Sequence, residues 1–271
     1  MQTHSKLELY DTDLTDAQWQ HLRPLLPKPF VLGRPRENDR RTLVNGIFYT
    51  LRSGCAWRLL PKVYGAWQSV YGFFRTLTRE KVWDHAHDHL RERVRQRCGK
   101  KKTPTAAILD SQTVKTGDQA CASGYDAGKK IEGRKRHVLV DTLGLLLAVM
   151  VTPASVQDRD GAQSLLAKVI GWFSRLQVIW ADAGYAGQLV AWVKALRPFG
   201  KLRLEIVPRL LGTKGFKVLP HRWIVERTLA WLVKYRRLAR DYEQRPDHSE
   251  ALIQVAMIHL MLKRLGKSKK K

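Results

Sequence analysis

Over the first hundred residues, apolar side chains recur at the three- and four-residue spacing of amphipathic helices, and beyond residue 105 the spacing becomes that of strands. Thr15 or Asp16 can cap a helix through Trp19, Leu22 and Leu25, which Pro27 and Pro29 end. Leu43, Ile47 and Leu51 fall at i, i+4 and i+8, predicting a helix over 39–51 that Ser53-Gly54 breaks. Further helices are expected over 66–77 and 81–97. Between the first two lies Gly33-Arg34-Pro35-Arg36, a basic turn with no helical period.

The stretch GKKKTPT, residues 99–105, is polar, basic and contains proline, and it reads as a linker. After it comes a short apolar run, Ala106-Ala107-Ile108-Leu109, ending on Asp110. Residues 111–135 are polar and glycine-rich and read as a long loop. The runs 137–141 and 145–152 flank Thr142-Leu143-Gly144, a hairpin signal. A helix over 158–170, a strand over 177–181 ending on Asp182, a helix over 188–196 and a strand over 202–207 follow. Two long helices, 221–240 and 248–265, close the pattern. This order gives an α/β class, a mixed sheet flanked by helices and preceded by a small all-α region. Ligands of such sheets collect at strand ends, where both aspartates fall.

Charge changes the picture most. Lys and Arg number 49 against 24 Asp and Glu, a formal net charge of +25. A chain this basic is a candidate polyanion partner, because phosphate contacts release condensed counterions. The basic residues are spread through globular segments, which points to nucleic acid in preference to a membrane surface. No apolar run reaches membrane-spanning length and no signal-peptide pattern opens the chain, so a cytoplasmic protein is expected. Cys55, Cys98 and Cys121 are scattered, odd in number and without a CxxC, which fits a reducing compartment. Gly124-Tyr125-Asp126-Ala127-Gly128-Lys129-Lys130 lacks the spacing of a phosphate loop, so no nucleotide cofactor is expected; its lysines read as DNA contacts.

Between Glu205 and Asp241 stand nine Lys or Arg residues and one acid, Glu226. Taken alone, that glutamate has a plain explanation, a salt bridge to Arg222 or Arg227. Taken with Asp110 and Asp182, it completes a set of three carboxylates. Such a set is repulsive unless a cation neutralises it. Hard oxygen donors suit Mg²⁺ or Mn²⁺, and two such ions form the clamp used for in-line phosphodiester attack. Asp141, opening the hairpin turn, and Asp158, read as a helix N-cap, have simpler roles. His85, His87 and His89 read as a solvated or DNA-facing surface, since only His85 and His89 share a helix face and no third ligand is evident.

The phrases LDSQTVKT (109–116), GRKRHVLVDTLGLLL (133–147), ADAGYAG (181–187) and RWIVERTLAWLVKYRRL (222–238) resemble the IS-five family of bacterial insertion-sequence transposases. LTDAQWQHLRPLLP, GRPR and SGCAWRLLP resemble the helical region that precedes the catalytic domain in that family. The resemblance implies an RNase H-like fold with Asp110, Asp182 and Glu226 as catalytic and metal-holding acids. It implies Mg²⁺ or Mn²⁺, two ions, as cofactor, and Arg222 as a DNA-phosphate contact. The family often has a Lys seven residues after the glutamate and a Tyr three before the arginine; Val233 and Leu219 stand there, with Lys234 one residue late. Further DNA-binding candidates are Arg227, Lys234, Arg236, Arg237, Lys115, Lys129, Lys130, Arg34 and Arg36. The expected organisation is a DNA-recognition domain at 1–98, a linker at 99–105, a catalytic domain at 106–266 and a disordered tail at 267–271. The expected function is metal-dependent cleavage and strand transfer at the ends of a mobile element. The partners are element-end and target duplex DNA, with at least a dimer to hold two ends. A nuclease without joining activity and a non-enzymatic DNA-binding repressor are the alternatives.

Overall fold

Thr15 begins the first helix with a reciprocal cap: its hydroxyl accepts from the Gln18 N–H at 3.3 Å, and the Gln18 amide oxygen accepts from the Thr15 N–H at 3.2 Å. The computed structural model describes residues 10–28, 39–197, 200–207 and 221–267. The helices are α1 (Asp16–Leu22), α2 (Arg40–Ser53), α3 (Trp67–Arg79) and α4 (Val82–Arg97). Asp39 caps α2 through the Thr42 N–H, and Gly54 ends it in the left-handed conformation that favours glycine. The turn carrying Arg34 and Arg36, and most of the basic tail, lie outside the described residues.

The strands follow as β1 (Ala106–Lys115), β2 (Gly124–Asp126), β3 (Ile131–Asp141) and β4 (Leu146–Pro153). Helix α5 (Asp158–Val169), β5 (Val178–Ala181), α6 (Gln188–Ala195) and β6 (Arg203–Ile206) come next. The chain closes with α7 (Arg222–Val233), α8 (Arg236–Ala239) and α9 (Pro246–Gly266). Strands β3 and β1 pair antiparallel, β1, β5 and β6 pair parallel, and β2 and β4 share the outer edge of β3. This is the mixed, helix-flanked sheet that an RNase H-like fold requires.

Side-chain alternation along β1 divides the core in two. Ile108 faces a cluster built with Val138, Val140, α7, α9 and the four N-terminal helices. Ala107 and Leu109 face the opposite cluster, with Leu165 and Leu166 of α5 and Leu189 and Val193 of α6. The N-terminal helices and the sheet are therefore sewn together by α9, whose Leu252, Val255, Ala256 and Ile258 are buried.

The expected loop at 111–135 is largely strand. Its GRKRH stretch is charged, yet Arg134, Arg136 and His137 are fully buried in β3. Arg134 donates to the carbonyls of Glu243 at 2.7 Å and Gln244 at 2.6 Å, and lies 3.3 Å from Asp241. Arg136 donates to the Leu238 carbonyl at 2.7 Å. These buried guanidiniums satisfy carbonyls in and after α8, and Arg134 also gains a carboxylate partner, which explains why much of this polar run sits inside. Gly133 is required here, since a Cβ would meet the Val114 carbonyl oxygen at 2.0 Å.

Asp141 closes the β3–β4 turn by accepting from the Leu143 and Leu145 N–H groups, each at 2.8 Å, and pairs with Arg95 of α4. Both partners are buried, so removing one strands a charge in the interior. Asp141→Ala is expected to cost about 3–5 kcal/mol, a figure to be read from chemical denaturation. An unchanged midpoint and slope would contradict this role.

Candidate active site

The β1–β5 pairing runs through Ala106↔Val178, Ala107↔Ile179 and Ile108↔Trp180 and then stops. Two residues further along the chain come Asp110, still within β1, and Asp182, just past the end of β5. Continued by those two residues, the register sets the aspartates side by side, on the face shared by Ile108 and Trp180. Strands pair about 4.8 Å apart, so their carboxylates feel one another. Asp110 is therefore not at the strand's end, as its sequence suggests: β1 continues to Lys115 along β3 while β5 has finished, and the aspartate sits where the sheet splits.

Helix α7 is aimed at this split. His221 adopts φ 66° and stacks on Trp180 of β5, centroids 3.9 Å apart and planes 5° from parallel. Trp180 is itself fixed by donating to Glu205 of β6 at 2.8 Å. One turn into the helix, Thr228 donates to the Gly144 carbonyl at 2.8 Å, and Arg227 donates to that of Leu143 at 3.2 Å. The helix is thus pinned to β5 at one end and to the hairpin turn along its length.

Arg222 lies between the acids, 3.5 Å from Asp182 and 3.7 Å from Glu226. Its guanidinium faces these carboxylates, which a phosphate contact alone does not require. Burial pushes the Asp110 carboxyl up to about 6, and Asp182 adds to the rise, while the Ser111 N–H and Arg222 oppose it. Among the described residues, no three His, Cys, Asp or Glu side chains converge closely enough as they stand to hold an ion. The donor set nevertheless suits a hard divalent cation: three carboxylates, one of them costly to ionise without nearby positive charge.

Several groups around the acids carry no signal in the sequence read by period. Ser111, next along β1, points to the opposite face and donates to Asp158 of α5 at 2.8 Å. Lys135 lies 3.0 Å from Asp158 and 3.5 Å from Asp126, and Asp126 accepts from Thr113 at 2.6 Å. Asp158 is thus the first helical residue, not the N-cap, and its carboxylate is tied to the sheet on the α5 side, away from α7. Tyr185, in the ADAGYAG phrase, is buried, and burial together with Asp110 and Asp158 pushes its phenol up.

The basic candidates separate by environment. Lys115, Lys129, Lys130, Lys234 and Arg236 are exposed. Lys129 reaches Thr113 at 3.3 Å. Arg227 is half-buried between Trp223 and Trp231, 4.5 and 4.8 Å from their ring centres. Arg237 is a correction: it is buried, pairs with Glu243 at 2.7 Å and donates to the Cys55 carbonyl at 2.8 Å, so it is not available to DNA. In an unbroken helix it would lie about 20° from Glu226, but the extended backbone at Tyr235 ends α7 and turns it inward. His87 is also buried rather than on a solvated surface, 3.4 Å from Asp88, and burial pushes its pKa down. His85 and His89 are exposed.

A mixed sheet that splits beside two aspartates, with a helix carrying a glutamate packed against the split, is the architecture of an RNase H-like fold. Residues 101–261 match the family model described as transposase DDE domain, and residues 14–87 match that of putative transposases of the IS4/5 family. The chain belongs to the DDE transposases of the IS4/IS5-like kind. A putative transposase for insertion sequence element IS402 from Burkholderia cepacia is 30% identical over 131 residues. That alignment covers 45% of this chain and 60% of the relative, so less than two thirds of the relative's length is spanned. Family membership implies use of divalent metal in general terms. Among the described residues, no helix is long and apolar enough to cross a membrane.

The raised Asp110 pKa has a consequence for stability in metal-free solution. Between the ordinary value of 3.8 and about 6 the folded chain holds a proton that the unfolded chain has released. Stability is therefore lost as pH rises through that window. Asp110→Asn cannot ionise, so its advantage over the native protein should grow from about pH 4 to 6 and then level off, at on the order of 2–3 kcal/mol. Melting curves in chelator across this range check it; parallel pH profiles for the two proteins would count against a half-buried, proton-holding Asp110.

Proposed function

We propose that this chain is a transposase that binds the ends of an insertion sequence, cleaves the DNA there and joins the freed 3′-hydroxyl to target DNA. The observation that carries the reading is the β1–β5 register, whose last pair lies two residues before both Asp110 and Asp182, together with Arg222 standing 3.5 Å from Asp182 and 3.7 Å from Glu226. In this reading Asp110, Asp182 and Glu226 hold two Mg²⁺ or Mn²⁺ ions. When bound, such ions activate the attacking oxygen and stabilise the leaving one.

The chain's own residues supply the rest. Asp110 and Asp182 present carboxylate oxygens from the sheet and its edge, and Glu226 presents one from a helix pinned at its start and along its length, so the donors need little reorganisation. Arg222 offsets their mutual repulsion and, with Lys234 and Arg236 further along the same segment, offers positive charge to the DNA backbone. Lys115, Lys129 and Lys130 extend that charge on the far side of the split. Arg227, held between two indoles, contributes charge with little loss of side-chain freedom.

We further propose that residues 1–98 recognise element ends, that 99–105 connect them to a catalytic region at 106–266, and that the remaining basic tail adds non-specific charge. Arg34 and Arg36 are assigned to this recognition region. At least two copies are needed to hold both element ends at once.

A strand-transfer assay with Mg²⁺ and duplexes carrying the flanking inverted repeats tests the reading. Asp110→Asn, Asp182→Asn and Glu226→Gln should each reduce joined product by at least about 100-fold while duplex binding persists. Full activity in these variants would sink the assignment. Cleavage without any joined product would favour a nuclease, and binding indifferent to metal and to the acids would favour a repressor.

A further inference from the structure

A second positively charged feature lies along α7 beyond the acids. A cavity of about 320 Å³ between the end of α7, α2 and α9 is lined by Arg52, Lys234, Lys263, Arg264 and Lys267, and among the described residues no carboxylate stands in its wall. Lys234 stands eight residues after Glu226, about 12 Å along a helix path.

None of the five cations forms an ion pair among the described residues. Aromatic faces hold two of them in place. Arg264 sits 4.7 Å from the centre of Trp231, whose other neighbour is Arg227 at 4.8 Å, and Arg52 sits 5.6 Å from Tyr235. Burial and Arg227 push the Arg264 pKa down, and burial and Arg52 do the same to Lys263. The counter-charges act from outside: Asp11 on Lys263, and Asp141, already paired with Arg95, on Arg264. Positive charge has been concentrated here against its own repulsion.

The wall also holds an unused polar group. His259 is buried, and its Nε2 has no hydrogen-bond partner. Burial, Lys263 and Arg52 push its pKa down to about 3, so the ring is neutral. Its Nδ1 lies 3.4 Å from the Tyr235 hydroxyl. If that nitrogen accepts, Nε2 carries the proton and is a donor without an acceptor.

We propose that this cavity is a phosphate-binding site that seats one backbone phosphate of the DNA held at the acidic centre. Five cations, two aromatic walls and a neutral imidazole donor match a phosphodiester, and a duplex turn of about 34 Å readily spans the distance along α7. The assignment rests on the transposase reading. It adds Arg52, Lys263, Arg264 and His259 to the residues that hold the substrate.

The test is a salt series of fluorescence-anisotropy titrations, full-length chain against a labelled duplex. Lys263→Gln/Arg264→Gln, and separately the exposed Lys234→Gln, should lower the slope of log K against log salt by about one. Affinity near 0.1 M salt should fall about tenfold, with unchanged thermal melts. Sodium tripolyphosphate should alter the fluorescence of the native chain, compete with the duplex, and lose the fluorescence effect in Trp231→Phe. Native-like slope and affinity in the variants, while the native chain binds DNA, would overturn the proposal. So would a tripolyphosphate signal that DNA cannot displace, which would mark a site for small polyphosphates. Failure of the native chain to bind any duplex would refute the transposase reading itself, and this inference with it.

Discussion

The acidic centre depends on where two strands part. Strands β1 and β5 run parallel for three paired residues, and the pairing ends two positions short of each aspartate. Had it continued, Asp110 and Asp182 would be enclosed by neighbouring strands and helices. Had it ended sooner, nothing would fix their spacing. The same alternation that buries Ile108 toward α7 and Leu109 toward α5 sends both carboxylates to the α7 side. Ser111 and Asp158 are sent to the other side. One pleat thus separates the acids proposed to act from the acid that braces the sheet.

Holding like charges together requires positive charge close by, and the chain supplies it in graded form. Arg222 is nearest, within 4 Å of two of the acids. Buried arginines elsewhere serve structure: Arg95, Arg134 and Arg237 each meet a carboxylate, and Arg136 meets a carbonyl. Arg134 and Arg237 order the segment between α8 and α9, while Arg95 ties α4 to the β3–β4 turn. A net charge of +25 is therefore not simply a DNA-facing surface; part of it is internal scaffolding.

What was legible in the sequence follows from this division. Helices with a continuous apolar stripe, such as α2 and α4, and strands of β-branched and aliphatic residues, such as β4 and β5, show their period directly. Asp110, Asp182 and Glu226 stood out by motif. The β3 segment GRKRH did not, because its burial is stabilised by carbonyls far along the chain that no local window contains. The break at Tyr235 was hidden for a related reason. Residues 221–240 keep helix-compatible composition throughout, and the kink arises from Tyr235 and Arg237 finding partners on α9, in the Cys55 loop and at Glu243. Arg237 is a DNA-binding candidate by sequence and a core residue in the structure. Asp158 looked like a cap because its true partners, Ser111 and Lys135, lie 47 and 23 positions away.

The break in α7 also gives the basic segment its shape. A straight helix would have set Lys234, Arg236 and Arg237 in one exposed spiral past Glu226. Ending the helix at Val233 instead buries Arg237, leaves Arg236 outside, and folds Lys234 over a cavity walled by α2 and α9. Arg52 donates to the Lys234 carbonyl at this corner, so an N-terminal helix contributes both to the kink and to the cavity's charge. The helical region before the sheet is then not a separate unit: it completes a positively charged wall that starts on the helix bearing Glu226. Recognition and chemistry would be coupled through one packed corner. Tyr235 is the hinge of that corner: its extended backbone ends α7, and its ring lies 5.6 Å from Arg52 and 5.8 Å from that of His259.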